Sequence, residues 1–410
     1  MTRVTEPGAP PLWRNRDFVT LWSGQVVSAL GARISATAMP LLVLATTGSA
    51  ADAGLVAAAG TLPFLVAQLP AGPLVDRWDR RRILRASEAL AGLALLSVPI
   101  AQWLDALTVA QLVVVAFVQG MCAVFFGLAE TAALPVIVPA AQLPTALAQN
   151  EARGRGAALA GGPIGGLLFG LDRTLPFLVD AISYAAASVA LLSLRKELRS
   201  GPVAPAEPLW RATAAGLRWI WRHPLIRAAI LLIAASNLVF QALVLVLVVL
   251  AQRRGATAGE IGTMLGVYSG GGLLGALAAT RLHRHLSPKM VIIGVNWIWT
   301  ALLPLFLLTT NALQIGAIGA ATAFVGPLWN VVIVSYSALL VPNELLGRVT
   351  SAAMTVSWGV MPIGSLGAGL LLAGAGPTGT ILTLTGVMLA TAVAATISPA
   401  VRRAPPLPRG

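Results

Sequence analysis

Charged side chains make up only 10% of this 410-residue chain, and hydrophobic ones 57%. Soluble domains carry roughly 25% charge, so this deficit excludes an ordinary water-soluble fold. Cysteine is nearly absent: Cys122 stands alone inside an apolar run, which excludes an intrachain disulfide and reads as a small packing residue. The two lysines, Lys196 after Arg195 and Lys289 after Pro288, cannot complete a phosphate-binding G-x-x-x-x-G-K-[ST] loop. ATP hydrolysis within this polypeptide is thereby excluded. Of the three histidines, His223, His283 and His285, the last two match no catalytic zinc spacing. No nucleophile–base arrangement is evident, so neither an enzyme, a metal nor a cofactor is expected.

What the chain has in abundance is long apolar runs, and its mean hydropathy is +0.82. A membrane-crossing helix needs about 20 predominantly apolar residues. Twelve runs qualify: 18–46, 53–76, 83–104, 108–136, 143–171, 174–194, 226–251, 259–280, 289–309, 312–340, 345–373 and 378–398. The first is too long for the apolar core of a cleavable signal, about 7–15 residues. The expected fold is all-α and integral to the membrane, with twelve transmembrane helices in two six-helix bundles. Residues 1–17 form an N-terminal tail, 18–194 one bundle, 195–225 a linker, 226–398 the second bundle and 399–410 a C-terminal tail.

A net charge of +13 would suggest nucleic acid in a soluble protein. Here the basic residues are dispersed among short loops, so a topological role is expected and no nucleic-acid partner. Arg173, Arg253 and Arg254 fall on one side of the twelve-pass layout and Arg33 within a span; every other basic residue falls on the side of the termini. Because cytoplasmic loops collect Lys and Arg, both termini are expected in the cytoplasm of a plasma-membrane protein. Within the linker, Trp210, Ala214, Leu217 and Trp221 share one helical stripe and Arg211, Arg218 and Arg222 another. That pattern predicts a helix lying flat at the cytoplasmic interface, with partner docking as the other reading.

The halves repeat. Gly72 and Leu74 recur as Gly275 and Leu277, Val138-Pro139 as Val341-Pro342, and Pro163-Ile164-Gly165 as Pro362-Ile363-Gly364, in order and at nearly one offset. Ala279 and Thr280 replace Asp76 and Arg77, so a charged loop belongs to the first half alone. That loop, AGPLVDRWDRRR at 71–82, resembles the G-x-L-x-D-R-x-x-R-R pattern of the major facilitator superfamily, with Gly72, Leu74, Asp76, Arg77, Arg80 and Arg81 in register. The strings LWRNRDFVTLWSGQVVSALG, TTGSAADAGLV, PFLVDAISYAAASVALLSLR and LLGRVTSAAMTVSWGVMPIGSLGAG are similar to the drug–proton antiporter branch that includes enterobactin and macrolide exporters. GGPIGG at 161–166 resembles the fifth-helix motif of exporting antiporters, one residue shorter than usual. The chain departs from that branch at three places. Ala32 rather than an acid follows Gly31, Ala116 stands where a fourth-span arginine is frequent, and no basic residue lies beside Glu88 in the third span.

The resemblance implies two halves related by an axis along the membrane normal, with a cargo site between them. It implies that Asp76, with Arg77, Arg80 and Arg81 around it, latches the halves on the cytoplasmic side, near the helix that begins around Glu344. Arg33, Glu130 and Asp180 are charges within spans, where insertion costs roughly 2.5–3.5 kcal/mol and demands a partner or water. Each is a candidate for proton or substrate coupling; the alternatives are a structural pair of Arg33 with one acid, and Asp180 as an interfacial anchor. Glu88 is expected to be a counter-charge to the arginine loop. Gln25, Asn237, Gln241, Trp329 and Asn330 are candidates for lining the cavity, and Asn296 for interhelical packing. Gly162, Pro163, Gly165 and Gly166 allow close packing and bending, and the resemblance adds a seal in the outer half. The expectation is a monomeric, proton-coupled exporter of small, largely apolar molecules, partnered by cargo, protons and the bilayer. An uncoupled facilitator or importer, and a non-transporting sensor or platform, remain as alternatives.

Overall fold

The computed structural model describes residues 11–194, 198, 209–282, 286–342 and 345–405, and every element among them is helical. Lys196, His283, His285, Glu344 and most of the two tails lie outside the described residues, as do the side chains of Trp210 and Arg211.

The first half contains α1 (Arg16–Thr47), α2 (Ala50–Val66), α3 (Gln68–Arg77), α4 (Arg80–Trp103), α5 (Val109–Ile137), α6 (Leu143–Leu171) and α7 (Leu175–Leu192). The linker forms α8 (Leu209–Arg222). The second half contains α9 (Pro224–Arg253), α10 (Ala258–Leu282), α11 (Pro288–Leu302), α12 (Ala312–Leu340), α13 (Leu346–Gly359) and α14 (Met361–Ile397).

Local chemistry sets the ends. Asn15 caps α1 by accepting from the Phe18 N–H, and Gly48 closes it in the left-handed conformation (φ 66°). Thr257 and Glu260 form a reciprocal capping box at the start of α10. The run 53–76, read as one span, is two helices bent by 58° at Ala67. The reason is Pro70, which has no N–H to offer the Val66 carbonyl. Gly376 (φ 65°, ψ −178°) followed by Pro377 interrupts α14, so this long apolar run changes direction there.

Among the described residues, nine helices are long and apolar enough to cross a bilayer, or ten if α2 and α3 form one span. One of the nine is the whole stretch Leu346–Ile397, which contains the Gly376 break.

Helices α1, α4, α5, α6 and α7 pack on one another, as do α9, α10, α11, α12 and α14. Helix α2 packs on α5 of the first set; the two halves meet where α2 packs on α14, α6 on α10, and, less extensively, α2 and α3 on α13. The repeated Pro-Ile-Gly triplets play the same part in both sets. A Cβ on Gly165 would stand 2.7 Å from the Ile34 carbonyl of α1. One on Gly364 would strike the Leu238 carbonyl of α9. Helix α8 does not lie free: Gly216 abuts the Arg348 carbonyl of α13, and Ile220 is buried in the main core. The exposed face of α8 carries Arg218, Trp221 and Arg222.

Candidate functional site

Helix α1 carries a polar stripe at helical spacing: Gln25, Ser28, Gly31 and Ser35. It holds two buried carboxyls supplied by other helices. Gln25 Nε2 donates to Glu88 Oε1 at 2.7 Å, and Ser28 Oγ to Glu88 Oε2 at 3.1 Å. About two turns further along, Ser35 Oγ donates to Asp180 Oδ2, and Ser183 Oγ to Asp180 Oδ1 at 3.1 Å. Glu88 is 3% exposed and Asp180 is fully buried. No cation pairs with either among the described residues. Gly31 is required by this arrangement, because a Cβ there would stand 2.5 Å from Asp180 Oδ1 and collide with the Ser183 hydroxyl. Leaving an ionised carboxylate buried without a counter-cation costs several kcal/mol, so the charge of each group is tied to its access to water.

Beside this stripe lies a cavity of about 560 Å³ between α1, α2 and α5 of the first half and α9 and α14 of the second. Ser35 is part of its wall, so Asp180 stands one hydroxyl behind the surface. Most of the lining is apolar; the polar groups are Arg33, Ser35, Thr61, Gln119, Tyr184, Gln241 and Ser365. Tyr184 donates to Gln119 Oε1 at 3.1 Å and Gln241 Nε2 to Ser365 Oγ at 3.1 Å, the latter tying α9 to α14.

The end of the cavity farthest from the arginine loop is closed by backbone-to-backbone packing. Gly54 of α2 meets α14, where a Cβ would lie 2.6 Å from Gly369 Cα. Gly162 and Gly166 of α6 meet α10: a Cβ on Gly166 would lie 2.7 Å from Gly262 Cα and collide with the Ala258 carbonyl. Pro163 rests on Gly266, and Gly165 on α1. Nearer the arginine loop the halves meet through side chains instead, Trp358 of α13 standing edge-on to Phe64 of α2, and Gly154 and Gly156 of α6 face open space.

The arginine loop itself ties helix ends together. Asp79 caps α4 through the Arg81 N–H. Arg80 reaches the Ala132 carbonyl of α5, while Arg81 and Arg85 reach the terminal carbonyls Leu192 and Leu191 of α7. Cations there complement the negative end of the helix dipole. Asp76 is 55% exposed and its one ion pair among the described residues is a loose 3.6 Å contact with Arg80. Gly72 faces open space, and Arg77 lines a groove of about 800 Å³ with Trp78, Arg82 and Phe125.

The remaining candidates are scattered. Glu130 does not line the cavity; it is clamped by Arg153 of α6 in a two-pronged pair at 2.8 and 3.1 Å. Asn237 Nδ2 donates to the Ser357 carbonyl and Gln25 to Glu88, both away from the cavity wall. Trp329 is buried in the core, and Asn330 is exposed outside this cavity. Asn296 is fully buried, donating to the Ile292 carbonyl. Glu88 is the residue whose surroundings the sequence concealed. It stands three residues after Arg85, yet it turns away from the arginines toward α1. The polar stripe on α1, read with its spacing, was the available signal.

Residues 21–365 match the model of the Major Facilitator Superfamily. The chain is 31% identical over 394 residues to the multidrug efflux pump Tap of Mycolicibacterium fortuitum, covering 92% of this chain and 94% of that protein. It is 31% identical over 126 residues to macrolide efflux protein A of Streptococcus pyogenes, 31% of either chain. Among solved structures, the nucleoside transporter NupG (D323A mutant) superposes with a TM-score of 0.78 at 11% identity, over 93% of this chain and 99% of that one. A bacterial homologue of the iron transporter ferroportin, in an inward-facing state, superposes with a TM-score of 0.67 at 15% identity, over 93% and 100%.

Proposed function

Since the chain belongs to the Major Facilitator Superfamily, we propose that it is a multidrug-type exporter that moves small, largely apolar molecules out of the cell in exchange for protons. The observation that carries this reading is the pair of buried, cation-free carboxyls, Glu88 and Asp180, set along the α1 stripe beside a cavity closed at one end. A carboxyl that is stable when buried only with its proton on makes the closing of the protein depend on protonation. Opening toward water on one face releases the proton, and closing again requires another. Asp180 touches the cavity wall through Ser35, so movement of α1 on cargo binding reaches it directly.

Twelve passages are proposed. The break at Gly376 supports counting Leu346–Ile397 as two spans, and the α2–α3 pair is one. Helix α6 adds the last; Glu151, Arg153 and Arg155 dilute its apolar character in its first half, and residues 156–171 carry no charge. The equivalent packing of the two Pro-Ile-Gly triplets supports two six-helix halves that rock against each other. The arginine loop supports a cytoplasmic placement of its own face, with both termini on that side. On that assignment the glycine seal closes the outer face and the cavity faces inward. The Asp76 latch is then open, its carboxylate held among the described residues by Arg80 alone, and it engages when the inner face closes. The cavity is complete within one chain, which supports a monomer.

Reconstituted protein separates the roles. In liposomes, Asp180→Asn and Glu88→Gln are expected to retain exchange of labelled for unlabelled cargo, while flux driven by a pH gradient falls to background. Gradient-driven flux that persists in both variants removes the coupling carboxyls from the account. Wild-type flux indifferent to the gradient favours an uncoupled facilitator.

A further inference from the structure

The central cavity contains a single charged residue, Arg33, among those that line it. Arg33 is an exposed residue of the cavity wall, and its Cβ packs on Gly161 of α6, which sets the root of the side chain inside the bundle. Among the described residues it makes no hydrogen bond and has no carboxylate within 4.0 Å. The acids that would neutralise it are engaged elsewhere. Asp180 is held by Ser35 and Ser183, Glu88 by Gln25 and Ser28, and Glu130 by Arg153. The other polar groups of the wall aim donors at protein acceptors: Tyr184 at Gln119, Gln119 at the Ala91 carbonyl, Gln241 at Ser365. A guanidinium carries five donors in a planar fork that matches a carboxylate and has no acceptor of its own. Apolar side chains make up most of the rest of the wall, among them Met39, Val43, Val56, Leu95 and Val244.

We infer that the cavity selects amphiphiles whose polar end is an anion of the carboxylate type, bound by Arg33, with the apolar body against α2, α4 and α9. The charge that a cargo must bring is the one the wall lacks. A cationic amphiphile would meet an unpaired guanidinium and no free carboxylate. The inference deepens the exporter reading by naming its cargo class and rests on that reading for its physiological meaning, but the binding preference is measurable without transport.

The test uses the full chain purified in detergent and three probes that share one apolar body: 1-naphthoate, its methyl ester and 1-naphthylmethylamine. Hydrogen bonds to a charged group predict that naphthoate binds about tenfold or more tightly than the ester. The amine is expected to bind no better than the ester. In Arg33→Gln the naphthoate affinity falls about tenfold, to the level of the ester, whose own affinity is unchanged and reports an intact cavity. Arg33→Lys keeps part of the preference, having the charge without the fork. The inference is overturned if wild-type protein binds naphthoate no better than the ester, or prefers the amine. It is overturned equally if Arg33→Gln leaves the preference intact. Should Arg33→Gln not fold, the three-probe comparison on wild type decides alone. A preference for the anion in protein that shows no gradient-driven flux of any compound defeats the exporter reading and leaves this one standing. Export of cationic and neutral compounds without an anion preference does the reverse.

Discussion

Replacing Gly166 by valine is expected to drive the protein out of the conformation described here. The Cβ added at Gly166 would lie 2.7 Å from Gly262 Cα and 2.9 Å from Gly262 N, and would collide with the Ala258 carbonyl. All three are backbone atoms, so no rotamer change relieves them and α6 must separate from α10. Overpacking of this kind costs typically about 1–3 kcal/mol. The cost falls on one state only, because alternating access requires this contact to open when the far face opens. A difference of that size shifts a two-state equilibrium roughly 5–150-fold. The readout is a cysteine placed on the cavity wall, Thr61→Cys, in a Cys122→Ser background, and labelled by a membrane-impermeant maleimide applied from the far face. Labelling is expected to accelerate by about that factor in Gly166→Val. Gly156→Val is the control: nothing lies within 4 Å of that position, and its labelling rate stays that of the parent. If Gly166→Val inserts normally and labels no faster, the α6–α10 contact is not what closes the far face.

Three further expectations follow from the same geometry. Glu130→Gln strips the two-pronged partner from Arg153 and lowers stability by about 3 kcal/mol, seen as a lower thermal midpoint in detergent. Removing both charges in Glu130→Gln/Arg153→Gln restores most of it, whereas a coupling role for Glu130 would abolish transport with no change in stability. Asp76→Asn is expected to insert normally, leave the structure at the inward-facing end unaltered, and slow turnover because the closed inner face loses its latch; undiminished turnover removes the latch. Gly31→Ala displaces the Asp180 carboxyl, whose Oδ1 occupies the space of the new methyl group, and is expected to lower gradient-driven flux toward the level of Asp180→Asn.

The architecture was legible because its causes are local. Apolar runs of span length and the Gly376-Pro377 pair each act through their own backbone, whereas the bend at Ala67 lay hidden inside an apolar run that read as one span. The candidate site was only partly legible because it depends on how helices are rotated about their axes. Glu130 and Arg153 lie in separate spans, and nothing in either span announces that they meet. Glu88 reads as part of the arginine loop by sequence distance. The helix turns it toward Gln25 and Ser28 while Arg85 reaches the end of α7. Asn237 lies on α9, which lines the cavity elsewhere along its length, but its amide reaches the Ser357 carbonyl; Trp329 lies on α12, none of whose described residues line the cavity. By contrast the glycines of α6 divide cleanly by spacing: Gly162 and Gly166 toward α10, Gly161 and Gly165 toward α1. That division follows from the helical period alone.

The most direct measurement records proton and cargo movement together in liposomes holding the purified chain, with a pH-sensitive dye inside and an imposed pH gradient. Cargo moving against its own gradient while protons run down theirs, with both movements lost in Asp180→Asn, is the predicted result. Cargo that moves only down its own concentration gradient, with no accompanying proton flux in the wild-type protein, contradicts the account.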